Sequence, residues 1–233
     1  MALFPLESNP EVLNKFLHKL GVSEKWQLVD VFGLEDEALN WIPRPALAFI
    51  LLFPCSDKFY EHAAQQKSEL QQQDQIVVPD LYYMKQYVSN ACGTIALIHS
   101  VANNAERIDL QDGIFKTFLD DSKGLSPEER GKLLQELPNN PHVMDMINAH
   151  QELALEGQTE LNPDEKVNHH FIALVEKGGY LYELDGRKEF PINHGKTTMD
   201  TFIDDAAKVC KDFIARDAED VNFTVMALTA CDK

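Results

Sequence analysis

The chain is short of basic residues: 21 Lys and Arg stand against 38 Asp and Glu, a formal net charge of −17 over 233 residues. That balance argues against binding a phosphate backbone, which needs clustered cations, and favours a partner that presents basic groups. Cysteine is scarce as well, with four residues, no C-x-x-C pair and no regular close spacing. A disulfide framework and a zinc site are therefore not expected, and a reducing compartment fits best. Also missing are a basic region followed by an apolar stretch in the N-terminal MALFPLESNPEV, and any apolar run of membrane-spanning length. The expectation is a soluble cytoplasmic protein, with the nucleus also open to it, that engages no membrane, no nucleic acid and no metal. No Pro-, Gly- or Ser-rich linker divides residues 1–233, so they read as a single monomeric domain with a sizeable core.

What is present is well punctuated. Asn9 as N-cap and Pro10 at the first position open a helix whose Leu13, Phe16, Leu17 and Leu20 share one face, and Gly21 ends it. Trp26 to Phe32 reads as a strand. Ala46 to Phe53 is a continuous apolar run between Pro45 and Pro54, short enough to be a central strand buried on both faces. Residues 61–75, rich in Gln, Glu and Lys, lack an apolar stripe and read as solvated, at most a frayed helix. Helical signals follow around Gly113 to Asp121, Ser126 to Leu137 and Pro141 to Leu155, the second marked by Ser126, Pro127 and Glu129 as a capping box.

Glu156 to Glu165, EGQTELNPDE, breaks this periodicity, carries four acidic residues and reads as an exposed loop. Val167 to Val175 and Tyr180 to Leu184 alternate around Lys177, Gly178 and Gly179 as a hairpin, with Asp185, Gly186 and Arg187 as the next turn. A helix from about Met199 to Arg216 and a last strand from about Asn222 to Leu228 complete the order. The class is α+β with a largely antiparallel sheet.

Within this frame, Gln86 to Gly93, QYVSNACG, is where the residues suggest chemistry. A free cysteine is by default a small buried hydrophobe. Cys210, on an apolar face with Phe202, Ile203, Ala206, Val209 and Phe213, reads that way, as does Cys55 at the end of an apolar run. Cys231, near the C-terminus, carries no chemical signal. Cys92 differs because it opens an apolar helix, with Ile95, Ile98 and Ala102 in one row and Leu97 and Val101 in the next. Helix N-terminal amides and the macrodipole favour a thiolate there and pull its pKa below the ~8.5 of a free thiol. Gln86, six residues upstream, offers a side-chain amide as an oxyanion donor.

A cysteine nucleophile needs a base, and the base a third group to orient it. On the first hairpin strand His170 shares a face with Ile172 and Leu174, and His169 shares the other with Phe171 and Ala173, so one histidine alone is expected to reach Cys92. Asp185 ends the second strand, and a turn at 177–179 brings it level with about residue 171, within reach of His170. Taken singly, His170 reads as a core histidine and Asp185 as a turn residue before glycine. Of the other histidines, His99 falls within the Cys92 helix, His18 and His62 lie in helical or solvated contexts, and His142, His150 and His194 have no partner set at metal-ligand spacing.

Together these residues follow the order Gln, Cys, His, Asp of papain-like hydrolases. Over nearly its whole length the sequence resembles the short single-domain ubiquitin carboxyl-terminal hydrolases. The resemblance rests on PLESNPEV, WQLVDVFG, MKQYVSNACGTIALIHSVANN, EGQT, DEKVNHHFIALV and YLYELDGRKEFPINHG. It implies Cys92 as nucleophile, His170 as base, Asp185 as its orienter and Gln86 as oxyanion donor. It also implies a papain-like fold with a knotted backbone and a crossover loop over the active site, here the EGQTELNPDE region. The implied reaction is cofactor-free thiol hydrolysis of esters, thioesters, amides and short peptide extensions after the C-terminal glycine of ubiquitin, through a thioester.

Ubiquitin contacts are implied for Pro5, Leu6, Glu7, Ser8, Asn9 and Pro10, for Glu156, Gly157, Gln158, Thr159 and Glu160, and for Asp220, Val221, Asn222, Phe223, Thr224 and Val225. Whether ubiquitin-like modifiers are cleaved too stays open. The acidic excess suits the arginines of the ubiquitin tail. One rival is a binding module that sequesters free ubiquitin with little turnover, supported by the acidic surface. A weaker one is a redox-sensing thiol, for which Cys92 lacks a neighbouring resolving cysteine.

Overall fold

The apolar run from Ala46 to Phe53 becomes the middle of a sheet. In the computed structural model, which describes residues 2–135, 141–156, 168–217 and 220–231, the elements in chain order are α1 (Pro10–Lys19), β1 (Trp26–Asp30), α2 (Asp36–Leu39), β2 (Ala46–Pro54), α3 (Asp57–Gln72), α4 (Cys92–Ala102), α5 (Ile114–Asp121), α6 (Pro127–Leu133), α7 (Pro141–Ala154), β3 (His169–Lys177), β4 (Tyr180–Leu184), β5 (Ile192–Lys196), α8 (Phe202–Arg216) and β6 (Thr224–Ala230). The strands form one sheet in the order β1-β6-β2-β3-β4-β5, every neighbouring pair antiparallel.

Both faces of this sheet are covered, which is why β2 reads as apolar without alternation. Leu47, Ala48 and Ile50 turn into a core shared with α1, α4, α5 and α7. Phe49, Leu51 and Phe53 turn into a second core against α2, α3 and α8. Burying one such side chain contributes about 1.5–3 kcal/mol, so each face is a substantial hydrophobic layer. α4 lies inside the first layer with every residue from Cys92 to Val101 buried, as expected for a helix that is apolar all round.

The caps are where the sequence places them. Asn9 accepts from the Glu11 N–H ahead of Pro10, and Ser126 and Glu129 close a reciprocal capping box. The hairpin turn is two residues, Gly178 and Gly179, at φ 60° and 84°, the left-handed pair that matches the strand twist. Three expectations shift. The strand from Trp26 ends at Asp30, and Phe32 is 95% exposed. Residues expected to be solvated at 61–75 belong largely to α3, which starts earlier because Ser56 caps it and Phe59 alone anchors it in the core. The loop expected at Glu156 to Glu165 lies outside the described residues from 157 onward; Glu156 itself is exposed and paired with Lys15 at 2.9 Å. Among the described residues no helix is long and apolar enough to cross a membrane.

Candidate active site

Cys92 is the first residue of α4, and the turn before it is built from local rules. Asn90 sits at φ 61°, a left-handed conformation that asparagine tolerates better than most residues. Its Nδ2 donates to the Leu3 carbonyl at 2.9 Å, and the Leu3 N–H donates to Ser89 O at 3.0 Å. The N-terminal segment is thereby strapped across the start of α4. A Cβ on Gly93 would meet Leu6 at 3.2 Å and Phe171 at 3.4 Å, so strap, helix and β3 close on one another at this point.

His170 and Asp185 come together at the end of the hairpin. His170 Nε2 lies 2.6 Å from Asp185 Oδ1, with both side chains 1% exposed. The register Ala173↔Leu184 continues to residue 172 opposite Asp185, one position from the expected 171, because the turn takes two residues. His169 begins β3 opposite Pro54 and is only half-buried.

Strand alternation does not by itself select His170 over His169. Phe171, Ala173 and Val175 face the α4 layer, whereas Ile172 and Leu174 face α8. Alternation therefore puts His170 on the face away from α4, and its ring makes an edge contact with Phe53 of the α8 layer at 5.7 Å. The imidazole and the Cys92 thiol nonetheless interact, because both lie at the end of the sheet, where β3 has only just begun. With Nε2 engaged by Asp185, Nδ1 is the nitrogen left for the thiol; it is buried and makes no aligned hydrogen bond.

Burial raises the Cys92 thiol, but the adjacent His170 imidazole, the Phe171 backbone N–H and the more distant Arg187 outweigh it, and the net shift is downward. Burial lowers His170, yet the charge and hydrogen bond of Asp185, with Cys92 adding to them, push it up to about 9. Asp185 is held below the usual carboxylate range: burial opposes ionisation, and His170, Lys188 and the Arg187 N–H overcome it. All three shifts favour a thiolate beside an imidazolium at neutral pH.

Gln86 flanks this pair. Its backbone N–H donates to Gly186 O at 2.8 Å, and its Nε2 donates to Val88 O at 3.2 Å while Oε1 is buried without a partner. One amide N–H thus remains for a further acceptor. Several supporting residues escaped the sequence reading. The Tyr83 hydroxyl lies 2.6 and 2.7 Å from the Asp185 and Lys188 carbonyls and shares its one proton between them. Lys188 pairs with fully buried Glu183, which His194 Nε2 also contacts at 2.8 Å. His150 joins Thr94 of α4 and the Phe4 carbonyl, each at 2.7 Å; the carbonyl can only accept, so Nε2 carries the proton and Nδ1 accepts from Thr94. Of these, the DGRK turn after Asp185 was the one visible signal.

The remaining cysteines differ. Burial pushes Cys210 up to about 12, and burial also raises Cys55 despite Arg187 beside it. The residues expected to form a partner surface separate into two groups. Leu6 and Val225 are buried and Asn9 is spent as a cap, whereas Val221 is 86% exposed. Phe223 and Thr224 line an apolar cavity of about 610 Å³ with Phe32, Leu34 and Ile214. Gly157, Gln158, Thr159 and Glu160 lie outside the described residues.

A family model for ubiquitin carboxyl-terminal hydrolase, family 1, matches residues 3–215. The ubiquitin carboxyl-terminal hydrolase of Drosophila melanogaster is 56% identical over 229 residues, 98% of each chain. Isozyme L1 of Homo sapiens is 45% identical over 229 residues with the same coverage. Among solved structures, the catalytic domain of Trichinella spiralis UCH37 bound to ubiquitin vinyl methyl ester superposes with a TM-score of 0.73 at 25% identity, covering 99% of this chain and 97% of that one.

Proposed function

The chain belongs to the family 1 ubiquitin carboxyl-terminal hydrolases, and from that membership we propose that Cys92, His170, Asp185 and Gln86 carry its reaction. The protein is a cysteine-type deubiquitinating hydrolase whose partner is ubiquitin. The observation that carries the residue assignment is a thiol at a helix N-terminus held down in pKa by a histidine that is itself 2.6 Å from a buried carboxylate.

The reaction follows from that geometry. The Cys92 thiolate attacks the carbonyl of the ubiquitin C-terminal glycine, and the developing oxyanion takes hydrogen bonds from the free Gln86 N–H and the Cys92 backbone N–H. Such donors are each worth about 10²-fold or more in rate. The imidazolium of His170 gives its proton to the departing nitrogen or oxygen as the C–N or C–O bond breaks, leaving a thioester. Neutral His170 then takes a proton from water, hydroxide adds to the thioester, and the thiolate leaves. Asp185 keeps its proton-free state throughout and stabilises the imidazolium.

The body of ubiquitin is placed by this reading over the cavity at Phe223 and Thr224 and along the exposed parts of the N-terminal strap, with the acidic surface receiving the arginines of its tail. The setting in this reading is the cytoplasm. The test is hydrolysis of a ubiquitin ester and labelling by a thiol-reactive ubiquitin, in wild type and Cys92→Ala. Turnover and labelling are expected in the first and neither in the second; equal activity in both removes the assignment.

A further inference from the structure

We propose that the cavity between α3 and the loop from Arg187 to Ile192 is a leaving-group subsite that favours acidic peptide extensions on the ubiquitin C-terminus, an inference that rests on the reading of the site just given. The cavity holds about 390 Å³. Its position follows from the sheet. The starts of β6 and β3 and the ends of β2 and β4 lie at one end of it. Along that end come first Phe223 to Val225, then His170 and Asp185, then the loop leading to β5. A tail that enters from the Phe223 side and is attacked by Cys92 delivers its leaving group toward α3 and residues 187–192.

The charge of this cavity runs against the rest of the chain. Lys67, Lys85, Arg187 and Lys188 line it with Glu189 as the one acid, in a protein of net charge −17. Lys67 is paired with Glu189 at 2.7 Å, and Lys188 is paired with Glu183 beneath. Lys85 is held by carbonyls instead, Lys188 O and Glu189 O at 2.6 Å each, and Glu128 and Glu189 reach it only as more distant charges. The Arg187 side chain donates to the Cys55 sulfur at 3.6 Å. Neither Lys85 nor Arg187 is matched by a carboxylate in an ion pair among the described residues.

An ammonium has three donors, so Lys85 keeps one for an incoming group. Phe190 and Ile192 supply an apolar wall beside it. An Asp or Glu early in the extension places its carboxylate between Lys85 and Arg187, whereas a Lys there meets like charge. The chemistry is unaltered: the glycine C–N bond breaks and the departing amine takes its proton from His170.

The experiment compares ubiquitin carrying four-residue extensions that differ only in having Glu, Gln or Lys at the second to fourth positions, with ubiquitin ethyl ester as reference. In wild type, kcat/KM is expected to be about 3- to 10-fold higher for Glu than for Gln, the size a few partly solvated ion pairs support, and lower again for Lys. The Glu/Gln ratio should fall toward one in 0.5 M NaCl, since salt screens such pairs over about 10 Å or less. Within Lys85→Gln/Arg187→Gln enzyme the same ratio should also approach one. Ratios within twofold of one in wild type at low salt overturn the proposal, as does a preference that survives both salt and the double variant. Ester hydrolysis with no cleavage of any extension overturns the subsite while leaving the assigned reaction standing. Failure on the ester as well defeats both.

Discussion

Gln86 and Gly186 join the two halves of the candidate active site. The Gln86 N–H donates to the Gly186 carbonyl at 2.8 Å. A Cβ on Gly186 would lie 3.0 Å from Gln86 Cβ, 3.1 Å from its backbone N and 3.2 Å from Ile95 Cγ2. The amide that flanks Cys92 and the turn that carries Asp185 are thus held at backbone distance, with no room for a side chain between them.

Gly186→Ala should therefore damage catalysis more than folding. The added methyl must push Gln86, Ile95 or the Asp185 turn by a few tenths of an ångström, an overpacking cost of about 1–3 kcal/mol. Small displacements of catalytic groups lower rates by up to about 10²-fold. kcat/KM on a ubiquitin ester should fall about 10- to 100-fold while the protein still melts cooperatively; unchanged kinetics would show that the contact has slack.

Asp185→Asn should shift the ionisation of the whole pair. Without the carboxylate, His170 loses the main influence that pushes it up to about 9, and the Cys92 thiol loses part of the positive charge that pulls it down. Alkylation of Cys92 by iodoacetamide, followed against pH, should show its acidic limb moving to higher pH and its rate near pH 7 falling about tenfold or more. Wild-type activity should hold up to about pH 9 and decline as His170 loses its proton.

His170→Ala should abolish turnover, by about 10³-fold or more, while His169→Ala should stay within about threefold of wild type. His169 is half-buried at the strand start and makes neither the Asp185 nor the Cys92 interaction. Steady-state kinetics on folded variants decide it, and equal losses would refute the assignment.

Glu183→Gln should destabilise the fold by about 3–5 kcal/mol, because it strands the mostly buried Lys188 ammonium without its partner. The folded-state pKa of Glu183 lies far below its ordinary 4.5: burial opposes ionisation, but Lys188 and His194 outweigh it. A depressed carboxylate stabilises the fold fully above its unfolded pKa and loses that contribution as pH falls through the folded one. The melting-temperature gap between wild type and variant should be constant from about pH 7 to 5 and narrow only below about pH 4.

Much of the site was legible because it is written in short-range chemistry. Cys92 at the start of an apolar run, a glutamine six residues before it, and a hairpin carrying His170 and Asp185 all stand in the sequence with their local structure. The choice between His169 and His170 was less secure than it looked. Alternation rightly put His170 with Ile172 and Leu174, but that face belongs to α8 and not to the nucleophile helix. Tyr83 and His150 act across sequence separations of 56 to 146 residues, which no local pattern announces, and the Glu183–Lys188 pair, five residues apart, shows only as the DGRK turn.

By itself the sequence determined the helix caps at Asn9 and Ser126, the two-glycine turn, the buried character of β2 and the place of Cys92 at the start of a buried helix. Each follows from backbone sterics, orphan amides or the period of apolar residues within a dozen positions. Tertiary structure alone decided that β6 enters between β1 and β2. It also decided that Cys92 and His170 meet around the end of a strand, and that Lys67, Lys85, Arg187 and Lys188 gather beside the site of an acidic protein. These depend on which distant surfaces bury one another, and on the balance of desolvation against charge in that burial, neither of which any short stretch of residues encodes.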